Sequence, residues 1–365
     1  MANRLLSEPE TSTRDLRLTP AWVSGEGPEA DVVVSTRARL ARNIAGRPFP
    51  GRASDDDLLE VAAMVRDAAN GLESRFRDMR IVDVTTLQEP EREFLVDTHL
   101  ASYEQVEPRK GRLIVLNSDA SIAIMVNEED HLRIQTIVSG LQPDSAWKLV
   151  DAVDDCLSKT LRFDYSDQYG YLTASLSNVG TGLRISTMLH LAGLAITGRL
   201  SKTLRAACDL GISVRGLFGE GSSGFGDFYQ VSNEVTLGLP EEEVVHRVRA
   251  VAEYLIGEER RSRGYLSDER PRECAERARE SLRTLRRTKS IDAVTALGLL
   301  SPIRLAAAIG IVEGVGVGAF NELLVTMGIG RLSGVKSVSW DAVKAEVTRV
   351  PRIREQLKQL KIPGG

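Results

Sequence analysis

Residues 112–127 read Arg112-Leu-Ile-Val-Leu-Asn117-Ser-Asp-Ala-Ser121-Ile-Ala-Ile-Met-Val-Asn127. Two apolar runs, 112–117 and 121–127, flank the turn formers Ser118-Asp119-Ala120. That arrangement predicts two strands paired antiparallel by a tight turn. Working outward, Asp31-Val-Val-Val-Ser-Thr36 is a short β-like run that leads into Arg37-Ala-Arg-Leu-Ala-Arg-Asn43. Tyr171-Leu-Thr-Ala-Ser175 is a further strand candidate. Segments 211–218 and 227–233 read as two more, joined by a glycine-rich loop. Helical spacing of apolar residues marks 55–72, 145–161 and 183–196. After Pro240 the pattern changes. Residues 241–256 read as a helix with a Glu-rich first turn, 260–289 alternate in charge, and short apolar helices broken by glycines follow from Ser290. Together these predict an α+β fold, an antiparallel sheet flanked by helices and followed by a smaller helical domain. The expected divisions are a disordered polar arm over 1–20, a sheet domain over 21–255 and a helical domain over 256–365.

A length of 365 residues agrees with two domains. Aromatic residues are only 5%, so aliphatic side chains must supply most of the core. The net charge of -4 argues against a globally basic nucleic-acid binder, leaving local arginine clusters as the phosphate-binding option. Cys156, Cys208 and Cys274 are far apart, and His99, His131, His190 and His246 show no HExxH spacing, so neither disulfide framework nor protein-held metal is expected. The N-terminus lacks an apolar signal core. The richest apolar stretch, 303–325, is interrupted by Arg304, Glu313 and Glu322. We therefore expect a cytoplasmic protein without membrane or nucleic-acid partners.

Two glycine motifs fail on context. Gly219-Glu-Gly221-Ser-Ser-Gly224 matches GxGxxG, but strand-like residues follow it where a dinucleotide fold needs a helix. Gly330-Arg-Leu-Ser-Gly334-Val-Lys-Ser337 misplaces the second glycine of a P-loop. More informative is a scatter of arginines beside strands. Arg37 and Arg39 are two apart, so on a strand they share a face. Arg133, Arg184 and Arg215 each stand next to a strand-like run. Singly, each reads as a surface ion-pair partner. Converging, their planar donor forks would hold a triphosphate without a P-loop. Glu128-Glu129-Asp130 adds carboxylates beside Arg133, which otherwise read as a helix-capping cluster.

Four blocks carry a resemblance: Ser35-Thr-Arg-Ala-Arg-Leu-Ala-Arg-Asn43, Asn127-Glu-Glu-Asp-His-Leu-Arg-Ile134, Ser177-Asn-Val-Gly-Thr-Gly-Leu-Arg184 and Arg215-Gly-Leu-Phe-Gly-Glu220. In wording and order they resemble the signature blocks of the phosphagen (guanidino) kinases, over roughly residues 20–255. Within that family the chain is most similar to the bacterial protein-arginine kinase branch. There is no room for the small helical domain that precedes the catalytic domain in creatine and arginine kinases, and a helical extension follows instead.

The resemblance implies transfer of the γ-phosphoryl of Mg-ATP to a guanidinium nitrogen, here of arginine side chains in proteins. It implies ATP and Mg2+ as cofactors, the metal held mainly through the phosphates. The ATP site would comprise Ser35, Thr36, Arg37, Ala38 and Arg39; His99; Arg133; Arg184, Ile185, Ser186, Thr187 and Met188; and Arg215, Gly216, Leu217, Phe218, Gly219 and Glu220. Glu129, with Glu128 beside it, would orient the acceptor and take its proton. Partners implied are proteins with accessible arginines, with a zinc-finger-type activator and a homodimer left open. Three positions depart from the pattern. Ser175 stands where the family has a reactive cysteine, and Ser223 where the glycine-rich loop has a second glutamate. Ala345-Glu-Val-Thr-Arg349-Val keeps one arginine of the Arg-Asp-x-x-Arg-Ala motif that binds phosphoarginine in the bacterial enzymes. These departures keep two alternatives in view, a nucleotide-binding pseudokinase and a small-molecule arginine kinase.

Overall fold

The computed structural model describes residues 18–216, 224–326, 328 and 342–362. In chain order the elements are β1 (Val33–Arg42), α1 (Asp55–Ala69), β2 (Arg80–Asp83), α2 (Glu89–Asp97), α3 (Tyr103–Val106), β3 (Leu113–Leu116), β4 (Ile122–Val126), β5 (Leu132–Ser139) and α4 (Pro143–Ser158). There follow β6 (Tyr165–Ser166), β7 (Gly170–Tyr171), β8 (Leu183–His190), α5 (Ala192–Ile196), α6 (Leu200–Cys208), β9 (Ile212–Gly216), β10 (Phe228–Asn233) and α7 (Glu241–Glu269). The C-terminal helices are α8 (Pro271–Arg287), α9 (Ala293–Ala308), α10 (Val317–Thr326) and α11 (Ala342–Gln356). Eight strands form one sheet in the order β2-β3-β4-β5-β1-β8-β10-β9, every neighbouring pair antiparallel. The 112–127 hairpin is β3 paired to β4, with Leu113 opposite Val126.

One sheet face is apolar. Leu40, Ile124, Ile134, Leu183, Ile185 and Val231 pack there against Val61 and Val65 of α1, Val150 and Val153 of α4, and Val244 and Val248 of α7. The spacing of apolar residues on those helices is what lets them cover the sheet. Helix α1 starts where it does because Ser54 and Asp57 form a reciprocal capping box. Among the described residues, the opposite face is covered at its two ends. Leu95, Leu100 and Val106 of the α2–α3 segment lie over Ile114, Leu116 and Ala123. The C-terminal helices, through Leu297 and Phe320, lie over Ile137, Met188 and Phe228. Between these covers no described element lies over the central strands β5, β1 and β8.

Two sequence expectations are corrected. Residues 183–196 are not one helix: 183–190 form β8 and only 192–196 are helical. Leu183, Ile185 and Leu189 fit either period in so short a run, and pairing with β1 and β10 on both sides decides for a strand. Residues 171–175 are not a strand. Pairing stops at Tyr171, and the chain enters a 3-10 turn at Leu176–Asn178. Two further elements are longer than read. The strand begun at Asp31–Thr36 continues to Arg42. Helix α7 runs unbroken through 255–256, because buried Glu259 and Arg263 tie its second half to the first domain. Glu259 accepts from the Gly193 and Leu194 N–H groups, and Arg263 donates to the His190 carbonyl.

Candidate active site

Strand register assembles the arginines. Arg39 lies opposite Arg184 on β8 and Gln135 on β5, Arg37 opposite Ser186 and Ile137, and Arg133 opposite Ala41. On β10 and β9, Ser186 faces Ser232, Met188 faces Gln230, and Gln230 faces Arg215. Directly opposed residues of an antiparallel pair project on one side. Arg37, Arg39, Arg133, Arg184 and Arg215 therefore share the open face. A cavity of about 210 Å³ is lined there by Arg37, Arg39, Arg133, Gln135, His99 and Ser102, with Tyr103 and Glu104 at its edge.

Arg37 and Arg39 face this cavity with no hydrogen bond or ion pair among the described residues, and the Arg39 Nε–H is buried without an acceptor. Burial pushes the Arg37 guanidinium down to about 10, aided by Arg184 and Arg133. Arg39 is lowered well below its ordinary value by burial first, then by Arg37, Arg133 and Arg184. Glu128 offsets part of this at Arg39, but neither guanidinium has a direct ion-pair partner among the described residues, which is costly to the fold unless an anion joins them. Arg184 donates to the Ser232 hydroxyl, and Arg215 to the Ser213 hydroxyl. His99 sits at the cavity wall with φ of 61°. Its carbonyl accepts from Gln135, and its ring lies 5.7 Å from that of Trp22. Burial, then Arg37, holds its imidazole down to about 4, so it is neutral.

The carboxylate block occupies the turn between β4 and β5, neither a strand nor a helix N-terminus. Each member has a different role. Asn127, at φ of 61°, donates to the Leu58 and Gly111 carbonyls and fixes the turn. Glu128 is buried. It takes both Arg133 nitrogens, at 2.9 and 2.8 Å, and the Ser102 hydroxyl. Asp130 accepts from Asn43 at 2.6 Å and from the Ala174 N–H at 2.7 Å. His131 accepts from the Ile44 N–H through Nδ1 and faces the Pro48 carbonyl through Nε2. Glu129 alone remains available, its side chain 46% exposed and 3.7 Å from Arg133. Burial, then Asp130, raises its carboxyl above the ordinary 4.5.

Not every residue expected at the nucleotide points there. Thr36, Ala38, Ile185 and Thr187 are fully buried on the opposite, helix-covered face. The Thr36 hydroxyl donates to the Gly140 carbonyl. Strand alternation makes this unavoidable, since contiguous blocks on a strand cannot all face one ligand. Ser35 and Met188 are opposed at the end of the open face covered by C-terminal helices, and Gly216 faces the core side opposite Tyr229. Leu217, Phe218, Gly219, Glu220 and Ser223 lie outside the described residues. Ser175 shares a hydrogen bond with Ser177, close to Ala174 and so to Asp130. Arg349 is buried and donates to the Ile291 carbonyl. Gln135 and Ser102 escaped the sequence reading. Gln135, two residues past Arg133 on the same strand, was detectable by period; Ser102 comes to the site only through tertiary packing.

The family model of the ATP:guanido phosphotransferase C-terminal catalytic domain matches residues 60–262. The chain belongs to this family. A second model, the Protein-arginine kinase McsB C-terminal domain, matches 271–364. A protein-arginine kinase of Halothermothrix orenii is 38% identical over 336 residues, covering 92% of this chain and 96% of that protein. One of Symbiobacterium thermophilum is 39% identical over 346 residues, covering 93% and 97%. Among solved structures, the substrate-free duplicated taurocyamine kinase of Schistosoma mansoni superposes with a TM-score of 0.57 at 24% identity, covering 74% of this chain and 40% of that one. Lombricine kinase gives 0.54 at 23%, covering 70% and 72%. These two solved kinases show that the guanidino-kinase fold is shared. Among the described residues no group of three or more His, Cys, Asp or Glu is placed to hold a metal ion, and no helix is long and apolar enough to cross a membrane.

Proposed function

We propose that this guanidino phosphotransferase is a protein-arginine kinase, transferring the γ-phosphoryl group of ATP to arginine side chains of other proteins. The observation that carries the nucleotide half is the pair Arg37 and Arg39, half-buried in a cavity with no direct ion-pair partner among the described residues. Such a pair fits phosphate oxygens bidentately. Arg133, Arg184 and Arg215 extend the same face. ATP, with Mg2+ carried on its phosphates, supplies the phosphoryl group. The protein's share is positioning and charge neutralisation, which is most of what in-line transfer needs.

The acceptor half rests on Glu129. A guanidinium is cationic and must lose a proton as its nitrogen bonds phosphorus and the γ-phosphorus–oxygen bond to ADP breaks. Glu129 is the carboxylate free to pair with it and to take that proton. Its raised pKa improves it as an acceptor. Glu128 we assign to holding Arg133, because it is buried, ion-paired to Arg133 and already accepts from Arg133 and Ser102 through Oε1. The protein-arginine kinases of H. orenii and S. thermophilum, matched over nearly their whole length, support protein arginine as the acceptor. We divide the chain at the α7–α8 junction and place its activity in the cytoplasm. Purified protein with Mg-ATP and an unfolded protein substrate is expected to yield acid-labile phosphate on arginine. Phosphorylation of free arginine alone would make it a small-molecule kinase, and ATP binding without phosphoarginine on either acceptor would make it a pseudokinase.

A further inference from the structure

The described residues include nine large apolar side chains that stand exposed, and five of them gather around one turn. They are Leu176 at 88% exposure, Tyr165 at 57%, Tyr169 at 48%, Val235 at 49% and Leu237 at 48%. Hydrogen bonds hold their segments together. The buried Thr236, between Val235 and Leu237, donates to the carbonyls of Ser177 and Val179. The Tyr171 N–H bonds the Gly180 carbonyl, which docks the Tyr165–Tyr171 hairpin on the same turn, and the Tyr165 and Tyr171 rings meet edge-on at 5.2 Å. The turn is therefore built to present Leu176.

Its location gives the patch a use. Two residues before Leu176, the Ala174 N–H is bonded to Asp130, whose neighbour is Glu129. Asn43 clamps the same place, donating to both Asp130 and the Leu172 carbonyl. The apolar rim thus begins beside the carboxylate assigned to the acceptor. Exposed apolar patches beside a charged site mark an interaction surface. A free guanidino compound would leave this rim empty, whereas a polypeptide entering the site extends beyond its arginine.

The geometry points to a docking surface for an unfolded polypeptide segment, one that carries an apolar side chain close in sequence to the acceptor arginine. The arginine pairs with Glu129 while the neighbouring apolar side chain covers Leu176 and the residues around it. This rests on the reading of the site as a protein-arginine kinase. Specificity is then for disorder plus local hydrophobicity, since a folded protein hides its apolar side chains.

The test compares two fluorescein-labelled peptides, one with leucine and phenylalanine flanking a central arginine and one with serine and glycine there. Binding is measured by anisotropy without ATP, and phosphorylation by phosphoarginine content. The wild-type protein is expected to bind the apolar peptide about tenfold more tightly, as burial of one large apolar side chain provides. Leu176→Ser, a change at a solvent-exposed tip, is expected to reduce that preference to near unity with the ATP KM unchanged. Equal binding of both peptides by the wild type, or a preference that survives in Leu176→Ser and in Leu176→Ser with Val235→Thr, overturns the surface. So does a dimer, by analytical ultracentrifugation, that dissociates in Leu176→Ser, since the patch would then serve a second copy. Preferential binding without phosphorylation would keep the surface and sink the kinase reading instead.

Discussion

Strand β1 carries three arginines that meet opposite fates. Arg42 is 2% exposed and fully partnered. It bonds Asp154 at 3.0 Å, donates to the Ala41 and Thr181 carbonyls, and lies 3.5 Å over the Tyr171 ring. Arg37 and Arg39 face the other side of the sheet into a cavity with no such partners. The carboxylates after β4 repeat the contrast, with buried Asp130 held by two donors at Oδ1 and Glu129 half-exposed with a single distant contact to Arg133. What separates a structural ion from a functional one here is whether the fold completes its coordination. The incomplete groups are where a ligand's free energy can be collected.

That contrast can be broken experimentally. Arg39→Met should lower kcat/KM about a thousandfold, the range for removing an arginine that stabilises a transferring phosphoryl group, while the melting temperature stays level or rises because a half-buried cation without an ion-pair partner is gone. A fall in melting temperature with activity retained would reverse the assignment. Glu129→Gln should slow transfer about a hundredfold or more, as loss of a general base does, with ATP binding by calorimetry nearly unchanged. Wild-type activity in that variant would remove Glu129 from the chemistry. Arg42→Met should do the opposite of Arg39→Met. It strands Asp154 in the core and should cost about 3–5 kcal/mol in chemical denaturation.

Two pH effects sharpen the picture. Glu129 works ionised, and burial raises its pKa, so kcat/KM should fall as pH drops through a value above 4.5. The residual activity of Glu129→Gln should lack that limb. His99 titrates at about 4 in the folded state against 6.5 in the unfolded chain. Its depressed pKa means the unfolded state binds the extra proton, so stability present above 6.5 is lost progressively toward 4. His190, lowered by burial and then by Arg304 and Arg263, adds to the same trend. Scanning calorimetry across that range should show the melting temperature falling with pH, and His99→Gln should flatten part of the slope.

Sheet, hairpin and most helices were legible in the chain because period and turn chemistry are local. The 112–127 hairpin and the Arg37–Arg39 spacing are cases where two or three adjacent residues suffice. Residues 183–190 are the opposite case, because Leu183, Ile185, Met188 and Leu189 among polar residues fit a helix until their neighbours in the sheet are known. A block such as 35–39 reads as one motif, yet alternation sends Thr36 and Ala38 into the core.

By itself, then, the sequence determined the arginines and carboxylates available, the strand period that puts Arg37 and Arg39 on one face, and the family. Tertiary structure decided which of those charges stay unmatched. Arg42 finds Asp154 across 112 residues and Glu128 finds Ser102 across 26, whereas among the described residues Arg37 and Arg39 meet no such partner and Glu129 has only a half-exposed contact with Arg133 at 3.7 Å. Whether a charge is neutralised is a property of what packs against it, and that is set only when β1, α4, β5 and the α2–α3 segment come together.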